Sequence, residues 1–365
     1  MGLMTDPAVL IDDVNARLLS LFDSQREPLT AISSELTPLL EELEAFTAGG
    51  KRTRAQFVAA GARMAGPARA DSVHEAVVAA ATALELFHAA ALIHDDLIDR
   101  SDTRRGRPAT HRMLETMHGE KAWVGDAAHF GVSGAILAGD LLLMWSNDLI
   151  AEALSLVTPE AAVQSARAFS RMRTEVTAGQ YLDIVEEHAW PHVDPVKRLE
   201  RAITIATSKS ARYSVESPLL LGATLAGASA AQLELASRIG LPLGLAFQIR
   251  DDILGVFGDS AVTGKPAGDD LREGKRTVLI AELSGRVDAE TQAFFDNRLG
   301  MPDLSTAEIS RMQEVLMSSG ALAATEARIQ AWLDDAVRAI GEAELAEEDE
   351  QRFIALAERI AKRDS

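Results

Sequence analysis

The sequence contains no cysteine, and aromatic residues make up only 5% of it. Without cysteine the chain has neither a disulfide nor a thiolate metal site, which is compatible with a reducing cytoplasm. Basic residues are also in the minority, since 36 Lys and Arg against 55 Asp and Glu give a formal net charge of −19. That charge disfavours nucleic acid and anionic membrane surfaces as general partners.

Signals for β-strands are nearly absent. Runs of β-branched residues are short, and Ala, Leu and Glu dominate, so we expect an all-α protein. The N-terminus lacks the basic start and apolar core of a signal peptide. The apolar stretches near 131–145 and 218–228 are too short, or interrupted by Asp140, for a bilayer span, so no transmembrane segment is expected.

The pattern of apolar residues predicts long helices throughout. The N-terminal region, 6–47, reads as two helices separated near Pro28, with Asp6 as the first N-cap. Pro218 is expected to kink or start a segment, and Pro302 to lie in a turn. Further helices are predicted over 72–98, 126–157, 159–187, 195–208 and 235–256.

No repeat, linker or domain boundary is visible. We therefore expect one domain over 1–365, made of N-terminal helices (1–47), a catalytic core (48–285) and C-terminal helices (286–365).

The stretch from Leu84 to Ile98 organises the chain, because it predicts a buried helix that ends in carboxylates. Asp95, Asp96 and Asp99 share one end of that helix, about one turn deep. Like charges so close repel one another unless a cation neutralises them. Mg²⁺ suits an all-oxygen site that also binds substrate phosphates. A solvated acidic helix end is the alternative, but apolar residues interleave with these acids.

The loop after these aspartates is abruptly basic, and Gly106 and Pro108 break the helix there. Guanidinium groups suit phosphate oxygens, so metal and arginine together suggest a diphosphate ligand. The five arginines of this segment are Arg100, Arg104, Arg105, Arg107 and Arg112.

The segment from Phe247 to Lys275 contains a second acidic helix end and the loop that follows it. Gln248, Asp251 and Asp252 fall within about one turn of a helix. A Gly-rich segment comes next and reads as a lid or binding loop. Its charged residues are Asp259, Lys265, Asp269, Asp270 and Lys275. Two acidic helix ends, each followed by basic residues, imply two carboxylate walls that serve one metal–diphosphate cluster.

Several single polar residues are candidates for the site only in combination with the two acidic motifs. The basic residues Lys51 and Arg54 open a helix after two glycines, which makes an anion site or an ordinary basic turn. His88 lies two turns below Asp95, where it either donates to an anion or is a core histidine. The remaining polar candidates in apolar surroundings are Gln180, Asp183, Lys209 and Ser210.

Taken together, these motifs resemble the polyprenyl synthetase family of trans-isoprenyl diphosphate synthases. The matching segments are GGKRTR at 49–54, DDLID at 95–99 with RRGRP at 104–108, GQYLD at 179–183, KS at 209–210, and FQIRDD through GKPAGDDLREGK. The resemblance implies an all-α helical bundle with a central cavity, the isoprenoid synthase fold, assembled as a homodimer. It also implies the joining of isopentenyl diphosphate to an allylic diphosphate, giving a linear product by Mg²⁺-assisted ionisation, alkene attack and proton loss.

The same resemblance implies a role for each matched residue. Three Mg²⁺ ions, or Mn²⁺ in their place, would be held by Asp95, Asp96, Asp99, Asp251 and Asp252, with Asp183 and Gln180 in support. The allylic diphosphate would be gripped by Arg104, Lys209, Lys265 and Lys275. Isopentenyl diphosphate would be bound by Lys51, Arg54, His88 and Arg105. The developing allylic cation would be faced by Gln248, Ser210 and the carbonyl of Lys209.

One position departs from the family pattern. The second acidic motif is commonly DDxxD, but here it reads DDILG, with Gly255 in the last acidic place. This weakens a fully carboxylate-lined third metal site. Asp259 or a water is the expected substitute.

The residues below Asp95 suggest the product length. Ala90 and Ala91 lie one turn down and are small, and an isoprene unit spans about one helical turn of 5.4 Å. Phe87, one turn further, is the first bulky candidate for a floor. We therefore expect geranylgeranyl diphosphate, with farnesyl or longer products as alternatives. Phe87 as ordinary core filler is the competing interpretation.

Two rival functions are distinguishable from the sequence. A class I terpene cyclase would need an Asn/Asp, Ser/Thr and Glu metal motif, and none appears near 251–259. A non-catalytic partner subunit can lose its metal carboxylates, whereas this chain keeps both acidic pairs. The sequence therefore favours a catalytic synthase.

Overall fold

The structure is a computed structural model that describes residues 7–66, 71–258, 268–343, 345 and 347–361. The described residues are overwhelmingly helical, which confirms the all-α prediction. The first half contains α1 (Pro7–Ile32), α2 (Thr37–Thr47), α3 (Thr53–Met64), α4 (Asp71–Ile98), β1 (Thr103–Arg104), β2 (Arg107–Pro108), α5 (Thr110–Glu120), α6 (Ala127–Ser155) and α7 (Pro159–Ala189). The second half contains α8 (Pro195–Ala206), a π-helix (Thr207–Glu216), α9 (Ser217–Leu225), α10 (Ala230–Phe257), α11 (Asp269–Glu273), α12 (Val278–Ala281), α13 (Ala289–Arg298), α14 (Thr306–Ser318), α15 (Ala321–Gly341) and α16 (Glu347–Ala361). Short 3₁₀ turns cover Ser34–Leu36 and Trp190–His192.

The chain divides into two compact units, each described here by itself. The first unit comprises Met1–Arg167 and Pro218–Ser229, and the second comprises Ala168–Ser217 and Ala230–Ser365. The first acidic motif therefore belongs to the first unit, and the second acidic motif to the second. The expectation of one domain over 1–365 stays a prediction.

In the first unit, α4 is the core helix, and it packs against α6, α3 and α1. Its buried face is rich in alanine, so neighbouring helices approach closely. The contact between α3 and α9 depends on glycine in both helices. A Cβ atom built at Gly222 would lie 2.7 Å from the Val58 carbonyl carbon, and one at Gly61 would lie 2.7 Å from the Leu219 carbonyl carbon.

In the second unit, α10 is the central helix, and it packs against the π-helix and α15. The bidentate ion pair of Arg250 with Glu326, at 2.6 Å for both bonds, ties α10 to α15. Trp190 is completely buried and donates its indole N–H to Asp296 at 2.8 Å. Arg250 of the FQIRDD segment is therefore a structural residue.

Most predicted helices are confirmed, with one correction near the N-terminus. Asp126 caps α6 as expected, since its carboxylate accepts from the backbone N–H groups of Ala128 and His129 at 3.0 and 3.1 Å. Pro218 lies in the first turn of α9, and Pro302 lies in a turn. The predicted break at Pro28 is wrong, because α1 runs through it to Ile32. Asp6 lies outside the described residues.

The arginine-rich loop contains a structure that the sequence pattern did not predict. Thr103 pairs with Pro108 and Arg104 with Arg107, so the segment is a two-stranded antiparallel hairpin. Its turn residues, Arg105 and Gly106, have φ values of +51° and +73°. Positive φ at both positions is typical of the tight turns whose twist matches a hairpin. The hairpin thereby fixes the direction of Arg104.

Two of the described helices, α4 and α6, are long and apolar enough to cross a membrane by length and composition. The α4 window is 78% buried, as befits the core helix of the first unit. The α6 window is only 28% buried, and Asp140 lies within this helix, as the predicted helix over 126–157 requires. Its exposed apolar side chains are Val132, Ile136, Leu137 and Met144.

Candidate active site

The end of α4 positions the first acidic motif. The helix ends at Ile98, and the Asp99 backbone N–H donates to the Asp95 carbonyl at 2.8 Å, so Asp99 continues the last helical turn. Asp95 and Asp99 are partly exposed, whereas Asp96 is only 1% exposed. The first and last aspartates can therefore reach a ligand, and the middle one is held inside the protein.

Arg104 compensates the buried carboxylate of Asp96. Its guanidinium donates from Nε to Asp96 Oδ1 at 2.8 Å, with a second contact from Nη2 to the same oxygen. The same Nη2 lies 4.0 Å from Asp95 Oδ2. A guanidinium between two motif carboxylates is fixed in orientation before any phosphate arrives.

A cluster of positive charge surrounds His88, seven residues before Asp95. Burial lowers the pKa of His88 well below its usual value of 6.5. The nearby positive charges lower the pKa further, in decreasing order, from Arg54, Arg105, Arg104 and Arg52. His88 is therefore a neutral imidazole among guanidinium groups, where it can donate one N–H to an anion. The structure brings together three residues of the proposed isopentenyl diphosphate set, His88, Arg54 and Arg105.

The basic residues of the hexapeptide 49–54 differ in burial and in contacts. Arg52 is 6% exposed and bonds to Glu85 at 3.0 Å and to the Thr47 carbonyl at 2.8 Å, so it ties α3 to α4. Lys51 is exposed at the start of α3. The guanidinium of Arg105 lies 4.0 Å from the position that a Cβ of Gly50 would occupy.

Two arginines of the basic loop serve the fold. Arg107 bonds to Glu42 at 3.1 Å, and Arg112 bonds to Asp102 and Glu115 at 2.7 Å each. The prediction of five arginines placed for an anion is therefore too broad.

The end of α10 positions the second acidic motif. Asp251 is partly exposed and Asp252 is buried. The Gln248 side-chain amide donates to Asp252 Oδ1 at 2.7 Å. Burial raises the pKa of Asp252 to about 8, and the charges of Asp270 and Asp251 raise it as well. The carboxylate is short of positive charge, since the Gln248 bond and Lys275 only partly offset these effects.

The space beside Gly255, where the family pattern has an acidic residue, is occupied by a carboxylate from another helix. A Cβ atom built at Gly255 would meet the Asp270 carboxylate, with Oδ1 at 2.8 Å and Oδ2 and Cγ nearer still. Asp270 lies in α11 and is 3.6 Å from the Lys275 ammonium, which also bonds to Glu273 at 2.5 Å. The expected substitute, Asp259, lies outside the described residues, as does Lys265. The sequence pattern placed Asp270 in a binding loop but did not predict its contact with Gly255, because α11 was interpreted as unstructured loop.

Lys209 and Ser210 lie in the π-helix of Thr207–Glu216. The Lys209 ammonium forms an ion pair with Asp183 at 2.5 Å, so Asp183 acts here as the partner of a lysine. Both side chains are only partly exposed, at 21% and 17%. Gln180 is partly buried on α7, three residues before Asp183. The sequence predicted a helix over 195–208 but gave no sign of the π-helix that follows it.

The three chain-length candidates differ in accessibility. Ala90 is completely buried, Ala91 is partly exposed, and Phe87 is 7% exposed. Asp95, Ala91 and Phe87 are each four residues apart, so they follow one face of α4.

The acidic motifs suit a magnesium site that phosphate and water complete, and they do not form a site made of protein ligands alone. Among the residues that the structure describes, no group of three His, Cys, Asp or Glu is arranged as a metal site. Mg²⁺ usually takes one or two carboxylates and completes its shell with phosphates and waters. The under-compensated Asp252 and the partly exposed Asp95, Asp99 and Asp251 meet that requirement. A divalent cation beside Asp252 would favour its ionised form.

The fold and these two acidic helix ends define an all-α prenyltransferase. The Polyprenyl synthetase family profile matches residues 37–316. This match spans more than half of the chain, and the chain belongs to the polyprenyl synthetase family.

Two relatives and one solved structure show the extent of this similarity. The geranylfarnesyl diphosphate synthase of Aeropyrum pernix is 32% identical over 295 residues, covering 80% of this chain and 84% of the relative. The geranylgeranyl diphosphate synthase of Sulfolobus acidocaldarius is 31% identical over 286 residues, covering 78% of each. A crystal structure of a geranylgeranyl pyrophosphate synthase from Corynebacterium glutamicum, complexed with isoprenyl diphosphate and magnesium, is 37% identical with a TM-score of 0.90. It covers 98% of this chain and 99% of its own.

Proposed function

We propose that this prenyltransferase condenses isopentenyl diphosphate with an allylic diphosphate and releases geranylgeranyl diphosphate. The observation that carries the proposal is the end of α4, where the partly exposed Asp95 and Asp99 lie above a cationic cluster around His88. A reaction between two diphosphates requires two kinds of binding group. Carboxylates hold the metal that binds one diphosphate, and guanidinium groups bind the other. The relative from Sulfolobus acidocaldarius carries the name of the same product.

Asp95, Asp99, Asp251 and Asp252 would hold the magnesium ions. When bound, magnesium offsets the negative charge that the diphosphate gains as its carbon–oxygen bond breaks. Arg104 in the first unit, and Lys209 and Lys275 in the second, would each add fixed positive charge toward a diphosphate. The resulting allylic cation is attacked by the alkene of isopentenyl diphosphate, and the departing diphosphate accepts the final proton. No described side chain is needed as a dedicated base.

The cationic cluster around His88 is the proposed site for isopentenyl diphosphate. Arg54 and Arg105 would pair with its phosphates, and the neutral His88 would donate a hydrogen bond. Lys51 is exposed at the start of α3 and would add a further charge. Because this site binds its anion through side chains, it needs no metal.

Asp270 would supply the negative charge that Gly255 cannot. Its carboxylate occupies the space in which a side chain at position 255 would begin. It also contributes to the electrostatic environment of Asp252. Because Mg²⁺ requires only one or two protein carboxylates, Asp270 need not be a direct ligand to serve this purpose.

Product length would be set along α4. Ala91, which is partly exposed on the Asp95 face, leaves room for the growing chain, whereas Ala90 is completely buried and contributes by its small size. Phe87 closes that face one turn further down. The Aeropyrum pernix relative is named for a product one isoprene unit longer, so product length differs among the relatives.

The enzyme would act as a homodimer in the cytoplasm. The apolar face of α6, with Leu137 61% and Met144 59% exposed, is the proposed contact with a second copy of the chain. Leu137→Glu should convert the dimer to a monomer in size-exclusion chromatography with light scattering. Val196→Glu, at an 87% exposed residue of α8, is the matched control and should leave the mass unchanged. A wild-type monomer would refute the dimer.

The decisive experiment incubates the purified protein with labelled isopentenyl diphosphate, Mg²⁺ and each allylic primer in turn. A linear twenty-carbon prenyl diphosphate in the chromatogram is the expected result. A cyclic hydrocarbon would identify a terpene cyclase instead. No product with any primer would indicate a partner subunit.

A further inference from the structure

The π-helix of Thr207–Glu216 carries Lys209 and Ser210 and continues directly from α8. Its wider turn is visible at its end, where the Ser217 backbone N–H donates to the Arg212 carbonyl, five residues earlier. π-Helical segments are rare in proteins, and those that occur are often found at functional sites. Something in the surrounding structure must therefore hold this segment in place.

Gly179 of α7 lies against one side of the π-helix. A Cβ atom at this position would be 2.7 Å from Lys209 Cα and 2.7 Å from the Ser208 carbonyl carbon, and nearer still to the Lys209 nitrogen. All three are backbone atoms, so no rotamer change could make room. Any side chain at position 179 would displace the Lys209 backbone itself.

Gly244 of α10 makes an equivalent approach two residues further along the segment, at Ala211. Its Cβ would lie 2.7 Å from the Ala211 carbonyl carbon and 2.8 Å from Ala211 Cα. Two different helices of the second unit thus meet the backbone of residues 208–211. The absence of a side chain in each helix is what allows this approach.

Each of the two glycines stands four residues before a polar residue on its own helix. Asp183 follows Gly179 by one turn and reaches the Lys209 ammonium at 2.5 Å. Gln248 follows Gly244 by one turn and donates to Asp252. Residues four apart share a helix face, so the backbone contact and the polar contact are set together.

We propose that Gly179 and Gly244 are positioning residues that determine where Lys209 and Ser210 lie relative to the allylic diphosphate. The inference rests on the proposed function, since it assigns Lys209 to the leaving group. The ion pair with Asp183 orients the ammonium, but the two close backbone approaches fix the atoms from which that side chain extends.

Gly179→Ala and Gly244→Ala test the proposal, with Gly222→Ala as the matched control. Gly222 makes the same kind of backbone approach, but its partner is Val58, within the first unit. Because small misplacements have large kinetic effects, both test variants should raise the KM for the allylic diphosphate by at least about tenfold. Their KM for isopentenyl diphosphate should change by less than about twofold. Gly222→Ala should lower the unfolding temperature without changing the ratio of the two KM values.

Calorimetric binding of inorganic pyrophosphate with Mg²⁺ provides a measurement that is independent of turnover. Folded Gly179→Ala or Gly244→Ala should bind pyrophosphate about tenfold more weakly than the wild type. Wild-type affinity in either folded variant, or the same loss in Gly222→Ala, would overturn the positioning role. If the wild type binds pyrophosphate but forms no prenyl product, the proposed function is wrong, and the comparison of affinities still decides the role of the glycines.

Discussion

The end of α4 and the end of α10 carry the same type of acidic motif but compensate its charge in opposite ways. At the end of α4, the buried Asp96 is paired with Arg104 from the hairpin that follows. At the end of α10, the described partners of the buried Asp252 are the Gln248 amide, a further carboxylate, Asp270, and the charge of Lys275, which offsets Asp270 only in part. The first motif is thus neutralised in part by the protein itself.

This difference indicates how strongly each motif depends on a cation. A carboxylate with a guanidinium partner stays ionised without metal, whereas a buried carboxylate near other carboxylates takes up a proton. We therefore expect the α4 motif to be preorganised and the α10 motif to be completed by magnesium. Variants in both motifs and a change of pH test this contrast.

The largest effect is expected from removing a ligand carboxylate. Asp95→Ala and Asp251→Ala should each lower kcat by on the order of 10³-fold, because each removes a group that holds the charge-stabilising metal. If the α10 motif depends more on the ion, Asp251→Ala should also need more Mg²⁺ for half-maximal activity. Steady-state kinetics across a Mg²⁺ titration measure both values.

The control for these variants is Asp12→Ala, at an exposed residue of α1. It should leave kcat and the Mg²⁺ requirement unchanged. Wild-type kcat in either motif variant would contradict the assignment of that aspartate.

The next effect concerns the pair of Gly255 and Asp270. Gly255→Asp restores the common acidic pattern but should weaken Mg²⁺-dependent pyrophosphate binding by about tenfold, because the new side chain displaces Asp270. Adding Asp270→Ala to this variant frees the space and should recover most of the affinity. Isothermal titration calorimetry on the two single variants and the double variant measures the coupling.

The alternative is that positions 255 and 270 affect pyrophosphate binding independently. Additive changes in affinity would show that Asp270 does not replace the missing carboxylate. Asp270→Asn retains the side-chain size and separates the effect of charge from that of packing.

A pH dependence of stability follows from the pKa of Asp252, which is raised to about 8 from 3.8. The folded protein holds this proton more tightly than the unfolded chain does. The contribution of Asp252 to stability is therefore fully present below pH 3.8 and is lost as the pH rises through 8. The metal-free protein should become less stable from pH 6 to pH 9 in thermal unfolding.

Asp252→Asn removes the titrating group and should flatten this slope. Mg²⁺ with pyrophosphate should also reduce it, since a cation favours the ionised carboxylate. An unchanged slope in Asp252→Asn would mean that another group titrates.

The smallest effect on rate should come from Phe87→Ala, which leaves both acidic motifs intact. It opens the face of α4 two turns below Asp95 and should lengthen the product by about one isoprene unit, which spans roughly one helical turn. Chromatography of the dephosphorylated products measures the chain length. An unchanged distribution would remove Phe87 as the floor.

Sequence periodicity was sufficient to predict α4, α6 and α10 and the acidic residues at two of their ends. These features are local, since a helix and its cap depend on neighbours within a few residues. The helix through Pro28 was not predicted, because the tertiary packing of α1 outweighs the cost of one lost hydrogen bond.

The π-helix and the role of Asp270 could not be predicted from local patterns. Each depends on a contact between segments distant in sequence, between Gly179 and Lys209 or between Gly255 and Asp270. The hairpin had only a weak local signal, because its turn is Arg105-Gly106 and not the Asn-Gly or Asp-Gly that is typical of such turns.

The first unit is discontinuous in sequence, since it consists of Met1–Arg167 and the later segment Pro218–Ser229. A ribosome that makes this chain must therefore synthesise residues 168–217 before Gly222 can reach its partner at Val58. During that interval the nascent α3 has an uncovered seam. Folding of the first unit during synthesis is thus complete only after a segment that is translated fifty residues later has left the ribosome.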